Sequence, residues 1–228
     1  MSSITVAIAG GTGNLGYKIV QALLSDQLRP RFRELVVLAR NELYSEGNLK
    51  SALEGVNVLI NTVGATGHHF KEQLLRALPQ SSVKLYFPSE FGVDHYVHDF
   101  AHDEWDAKKN HIRLAEELIP EIRVCRVFPG LFLEDSVGPW FGFHTKLNKY
   151  EAVGSPDEPT SYTSMHDVER ALAALAVLPP GEVPEKVHLA GGTKSVAEIA
   201  RIMEQASEDQ KPIEYLHFKA RDFEAAKD

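Results

Sequence analysis

Short, mostly apolar and β-branched runs alternate along this chain with stretches in which apolar positions return every third or fourth residue. The runs fall at 5–9, 35–39, 58–62, 84–87, 122–128 and 186–189, and their β-branched content predicts strands. The periodic stretches, at 15–25, 49–53, 70–78, 104–118, 165–177 and 196–205, predict helices. Strands that lack polar alternation are buried on both faces, as in parallel sheets covered by helices. The order strand, helix, strand implies βαβ units and an α/β fold, a doubly wound and mainly parallel sheet. Right-handed crossovers gather the carboxyl ends of the strands at one edge, where a ligand crevice forms.

The pattern changes after Gly130. Residues 131–164 carry the breakers Gly138-Pro139, Ser155-Pro156 and Glu158-Pro159 among aromatics, and predict loops and short elements over the crevice. The expected organisation is a dinucleotide-binding part over 1–130. A small C-terminal substrate lobe over 131–228, interleaved with the last sheet elements, completes one domain. The polar, helix-permitting end, 218–228, suggests a cut from a longer domain. Only 17 residues separate Arg40 from Val58. A dinucleotide half-domain usually fits a further strand and helix there, so either the fold is trimmed or a segment is missing.

Composition narrows the class. The net charge of −8 lacks the basic face a nucleic-acid binder needs. No apolar run approaches membrane-spanning length, and Met1-Ser2-Ser3 leads straight into a strand, so neither a membrane anchor nor a secretory leader is expected. The lone Cys125 excludes an intramolecular disulfide and fits a reducing, cytoplasmic setting. Within its apolar run it reads as a buried, inert thiol rather than a nucleophile.

The candidate chemistry starts at residues 6–16, VAIAGGTGNLG. Gly10, Gly13 and Gly16 follow a strand and open a helix. Glycine permits positive φ and a close backbone approach to a diphosphate, and the helix start aims free N–H groups at that anion. A packing turn is the plainer alternative. Placed here, the motif makes the fold Rossmann-type. Arg40 closes the second strand; an acidic residue there would accept a ribose 2′-OH, whereas an arginine suits the 2′-phosphate of NADP.

Together these residues resemble the NmrA-like, isoflavone reductase-like family of atypical short-chain dehydrogenases/reductases. The resemblance rests on AGGTGNLG at 9–16, Arg40, GVNVLI at 55–60 leading to NTVG at 61–64, FPSEFG at 87–92, KNHIR at 109–113 and YTSMHDV at 162–168. It implies NADP(H) in the crevice and a lysine beside the nicotinamide. Carried over by position, Gly10, Thr12, Gly13, Asn14, Leu15 and Gly16 hold the diphosphate, and Arg40 meets the 2′-phosphate. Thr62, Val63 and Gly64 pass the adenosine half, Phe128, Pro129 and Gly130 lie near the nicotinamide, and Lys109 is the catalytic lysine at the cofactor. The chain departs from the family in lacking a second basic residue after Arg40, and in carrying Phe128-Pro129-Gly130 where reductases commonly show asparagine.

Several alternatives stay open. Lys109 could be an ordinary surface lysine, like its neighbour Lys108. Position 105 is Trp105, so the Tyr-x-x-x-Lys dyad of classical short-chain dehydrogenases is absent. Ser89 and Glu90 are expected to support the site, with Glu90 bonding loop amides. His95, His98 and His102 could ligate zinc if helical, but no metal is expected. Phe128, Phe132, Trp140, Phe141, Phe143 and Tyr162 are either an aromatic substrate pocket or core. The leading function is NADPH-dependent reduction of a small aromatic or conjugated substrate, with Lys109 as general acid/base. The alternative is a non-catalytic NAD(P) sensor that binds a protein partner.

Overall fold

The computed structural model describes residues 4–39, 46–99, 101–207 and 211–218. It begins with β1 (Thr5–Ala9), α1 (Asn14–Leu23), β2 (Glu34–Leu38), α2 (Glu46–Ala52), β3 (Val58–Asn61), α3 (His68–Ala77), β4 (Leu85–Phe87), α4 (Asp103–Leu118), β5 (Arg123–Val124) and β6 (Arg126–Phe128). It continues with β7 (Leu131–Phe132), α5 (Leu133–Ser136), β8 (Phe143–His144), β9 (Lys149–Val153), β10 (Thr160–Thr163), α6 (Met165–Leu175), β11 (Lys186–His188), β12 (Gly192–Lys194), α7 (Val196–Ala206) and β13 (Glu214–Phe218). The chain divides into two units, Met1–Phe128 with Met165–Leu189, and Pro129–Ser164 with Ala190–Asp228.

In the first unit, a five-stranded sheet has the order β2-β1-β3-β4-β5, and every pairing in it is parallel. β1 and β3 are buried at every position, as their uninterrupted apolar runs require. β2 is the sheet's edge among the described residues, and its Val37 is 42% exposed. Between β2 and β3 the described residues hold α2, and residues 40–45 of the short span lie outside the described residues. Leu49, Leu53, Leu59, Leu74, Leu75, Leu78 and Tyr86 anchor the core between the sheet and its helices.

The run at 122–128, expected to be one strand, is split. Arg123 pairs with Leu85 of β4, while Arg126 pairs with Lys186 of β11. The amides on either side of the break diverge: Cys125 N–H donates to the Tyr86 carbonyl and Arg126 N–H to that of Glu185. The chain therefore changes pairing partner at Cys125, whose thiol is fully buried.

The second unit holds two three-stranded sheets, β12-β10-β7 and β13-β9-β8. Its core is Phe143, Tyr150, Tyr162, Ile199, Ala200 and Ile213. Residues 131–164 contain more strand than the loops expected there, because short polar segments such as Thr160–Thr163 pair without an apolar run to signal it. Of the tail expected to permit a helix, Phe218 ends β13 and residues 219–228 lie outside the described residues. Among the described residues, no helix is long and apolar enough to cross a membrane.

Candidate functional site

The site grows from the end of β1. Gly10 leaves the strand with φ of +79°, a conformation that disfavours any side chain. Its amide is held by the Leu38 carbonyl, and its own carbonyl accepts from Gly13 N–H at 2.9 Å. A Cβ at Gly16 would lie 2.2 Å from that carbonyl oxygen and 2.6 Å from Thr62 Oγ1, so position 16 admits only hydrogen. α1 then starts from Gly13, which supplies no side-chain cap, and its first turn holds no acid. Thr12, Gly13 and Asn14 are exposed, Leu15 is partly buried and Gly16 is buried. The helix start thus keeps its amide donors and positive dipole end, with nothing negative supplied by its own first turn. A cradle that a single Cβ would fill, with helix amides above it, fits a diphosphate.

The end of β3 supports this loop. Thr62 N–H and Oγ1 both donate to the Ala9 carbonyl, so the Thr62 hydroxyl is engaged beneath the glycines. Val63 N–H donates to Asn61 Oδ1 at 3.1 Å, and Ser89 Oγ donates to the Val63 carbonyl at 2.8 Å. An added Cβ at Gly64 meets nothing within 4 Å, which leaves its surface open to a ligand. Asn61 in turn donates to Tyr86 Oη at 3.0 Å, and that oxygen lies 2.8 Å from His111 Nε2 on α4. Sequence reasoning missed this network. Its one visible signal was a polar residue, Asn61, ending an otherwise apolar strand.

α4 carries both lysines. Lys109 Nζ donates to the His98 carbonyl at 3.1 Å. Lys108 Nζ donates to the Glu90 carbonyl at 3.2 Å and pairs with Glu104 at 3.4 Å. The Glu90 carboxylate meets side chains rather than the loop amides expected for it: Tyr96 Oη donates to Oε1 at 3.1 Å. Its Oε2 lies 3.4 Å from His95 Nε2, and neither of these buried atoms makes a hydrogen bond. Burial raises the Glu90 pKa and lowers that of His95, so desolvation favours the neutral form of each. His98 and His102 stack on Trp105, and among the described residues no group of three His, Cys, Asp or Glu side chains is placed to hold a metal. Lys71 of α3 is another group the sequence did not single out. It is only 4% exposed, and burial followed by the Lys108 charge pushes its pKa down to about 8.

The remaining candidates divide. Arg40 lies outside the described residues. The Phe128 ring is buried, edge-on to His95 and Tyr96 and stacked on His188, so its backbone is what it offers a ligand. In the second unit, the Pro129 carbonyl accepts from Thr163 Oγ1, and a Cβ at Gly130 would lie 2.9 Å from the Ser161 carbonyl oxygen. Phe143 and Tyr162 are core residues of that unit, whereas Trp140 and Phe141 are exposed.

Comparison with known proteins places this geometry. The chain is 31% identical to phenylcoumaran benzylic ether reductase TP7 of Nicotiana tabacum over 160 residues, 59% of this chain and 52% of that protein. It therefore spans about half the length of the curated relatives it matches first. Among solved structures, it resembles AtPrR2 with NADP+ and (+)pinoresinol at 22% identity and a TM-score of 0.77, covering 97% of this chain and 81% of that one. It also resembles the leucoanthocyanidin reductase–NADPH complex of Vitis vinifera at 18% identity and a TM-score of 0.81, covering 97% and 80%. These structural likenesses establish the fold. The model of the NmrA-like family matches residues 2–225, nearly the whole chain, and the protein belongs to that family.

Proposed function

We propose that this protein binds NADP(H) and reduces a small aromatic or conjugated substrate. The observation that carries the reading is the glycine cradle, where Gly10 and Gly16 leave no room for a side chain at the uncapped start of α1. Support comes from relatives named as reductases and from similar structures that hold NADP(H). Gly10, Thr12, Gly13, Asn14, Leu15 and Gly16 hold the diphosphate, and Arg40 recognises the 2′-phosphate. Thr62, Val63 and Gly64 take the adenosine half, and the backbone of Phe128, Pro129 and Gly130 borders the nicotinamide. When bound, the cofactor supplies a hydride. Lys109 exchanges its bond to the His98 carbonyl for one to the substrate oxygen and delivers or shuttles a proton at Nζ. The single buried thiol suits a reducing compartment such as the cytoplasm.

The test pairs calorimetry with turnover. NADP+ should bind more tightly than NAD+, and NADPH should be oxidised with an aromatic ether such as (+)-pinoresinol as probe. Lys109→Ala should lower turnover by roughly 10²- to 10⁴-fold while leaving NADP+ affinity intact. A Lys109→Ala protein with full turnover rejects the lysine's role. The second reading is a redox sensor with a protein partner, and the observation in its favour is that the Lys109 ammonium is already committed to a loop carbonyl. A sensor discriminates NADP+ from NADPH and oxidises no NADPH with any probe.

A further inference from the structure

The hydrogen bonds behind the segment Thr62, Val63 and Gly64 run in one direction only. Val63 N–H can only donate, so Asn61 Oδ1 is the acceptor and Asn61 Nδ2 faces Tyr86. Tyr86 Oη therefore accepts from Asn61. Its single hydrogen goes to His111 Nε2, the one remaining partner of that oxygen among the described residues. His111 must then be neutral, with its hydrogen on Nδ1. Asn61 and Tyr86 are fully buried, so no water can replace a missing partner at either. His111 closes the chain at a cleft of about 420 Å³ between α3 and α4.

The surroundings of His111 make it a sensitive end to the chain. α3 presents His68, Lys71, Glu72 and Arg76, α4 itself contributes Lys108, Arg113 and Glu117, and β4 presents Tyr86. Burial, then the Lys71 and His68 charges, lower its pKa to about 4 against the opposing pull of Glu72. A proton on Nε2 turns the phenol's acceptor into a donor and leaves the Tyr86 hydroxyl hydrogen without a partner.

We propose that Tyr86 and His111 are positioning residues for the cofactor-binding segment, gripping Val63 through Asn61, and that protonation of His111 from the α3–α4 cleft loosens this grip. The proposal rests on the reading that residues 62–64 border NADP(H). Ser89 holds the carbonyl of the same residue, so Val63 is clamped at both its amide and its carbonyl.

The experiment compares wild type, Tyr86→Phe, His111→Leu and His111→Gln by NADP+ calorimetry from pH 4 to 7.5. Amide hydrogen exchange at Val63 and the ring ¹⁵N shifts of His111 are read in the cofactor-free protein. Tyr86→Phe and His111→Leu should weaken NADP+ binding roughly 5- to 30-fold at pH 7 and speed Val63 exchange. His111→Gln, whose amide oxygen can accept from the phenol, should restore both. The 2′-phosphate of NADP+ titrates in every variant, so wild-type affinity should fall more steeply than that of His111→Gln as pH drops toward 4. The proposal is overturned if His111→Leu keeps wild-type affinity and Val63 exchange, if wild type and His111→Gln share one pH profile, or if His111 carries its hydrogen on Nε2. Should Tyr86→Phe fail to fold, the two His111 variants decide. Absence of any NADP+ binding by wild type rejects the cofactor reading instead, and Val63 exchange and the His111 tautomer still judge the network.

Discussion

The carbonyl oxygen of Gly10 is the hardest wall in the candidate site. Backbone cannot swing away as a flexible side chain can, so the 2.2 Å separation from a Cβ at position 16 forces the loop itself to move. Gly16→Ala should abolish NADP+ binding and destabilise the fold by about 1–3 kcal/mol, read by calorimetry and by urea unfolding. Gly64→Ala makes the contrasting case. Its added methyl meets nothing in the protein, so stability should hold within about 0.5 kcal/mol. A loss of NADP+ affinity in that variant reports a close ligand approach; unchanged affinity removes Gly64 from the site. The glycines were legible in the sequence because their constraint is local, imposed within seven residues from Gly10 to Gly16. Asn61, Tyr86 and His111 were not. Each is separated from the next by 25 residues, and singly each reads as a core or helix residue.

At the scale of elements, legibility followed the residue pattern more than burial, since β2 and β11 were expected although largely unburied. β1, β3 and β4 are buried throughout and announce themselves as apolar runs, whereas β12 is exposed at every position. β12 forms through its antiparallel pairing with β10, information carried by neither segment alone. The break at Cys125 was hidden because the same Arg-Val pattern stands on both sides of it, and only the partner strands change. Helix starts differ in how they are closed. α7 has a full capping box, in which Ser195 Oγ accepts from Glu198 N–H and the Glu198 carboxylate accepts from Ser195 N–H. α1 has no side-chain cap. α3 and α4 also start without one, so an open start permits an anion, and it is the glycine loop before α1 that makes room for it. Ser195→Ala should therefore cost about 1 kcal/mol in urea unfolding and leave NADP+ affinity unchanged. An equal loss of affinity would contradict this division of labour.

For the molecule as a whole, the buried ionisable groups make stability a function of pH in two separate windows. His111 and His95 are both held below the usual histidine value, chiefly by burial. The unfolded chain thus binds more protons than the folded one between pH 6.5 and about 4, and stability falls as pH drops through that range. Glu90, raised by burial, opposes this in part. The second window belongs to Lys71, whose pKa moves from 10.5 to about 8. At pH 7 its ammonium is charged in both states, and the fold bears the whole cost of burying it. Between about 8 and 10.5 the folded protein has released that proton while the unfolded chain retains it, so this contribution rises with pH and the cost vanishes at its top. Replacing a buried cation with an apolar side chain of similar length removes the cost outright. Lys71→Met should therefore stabilise the protein at pH 7 by about 1–3 kcal/mol, and the gain should shrink toward zero by pH 10.5. Urea midpoints of both proteins at pH 7, 8.5 and 10 decide the matter. A destabilised variant, or a gain that does not change with pH, means that the Lys71 ammonium is solvated or paired in the folded protein.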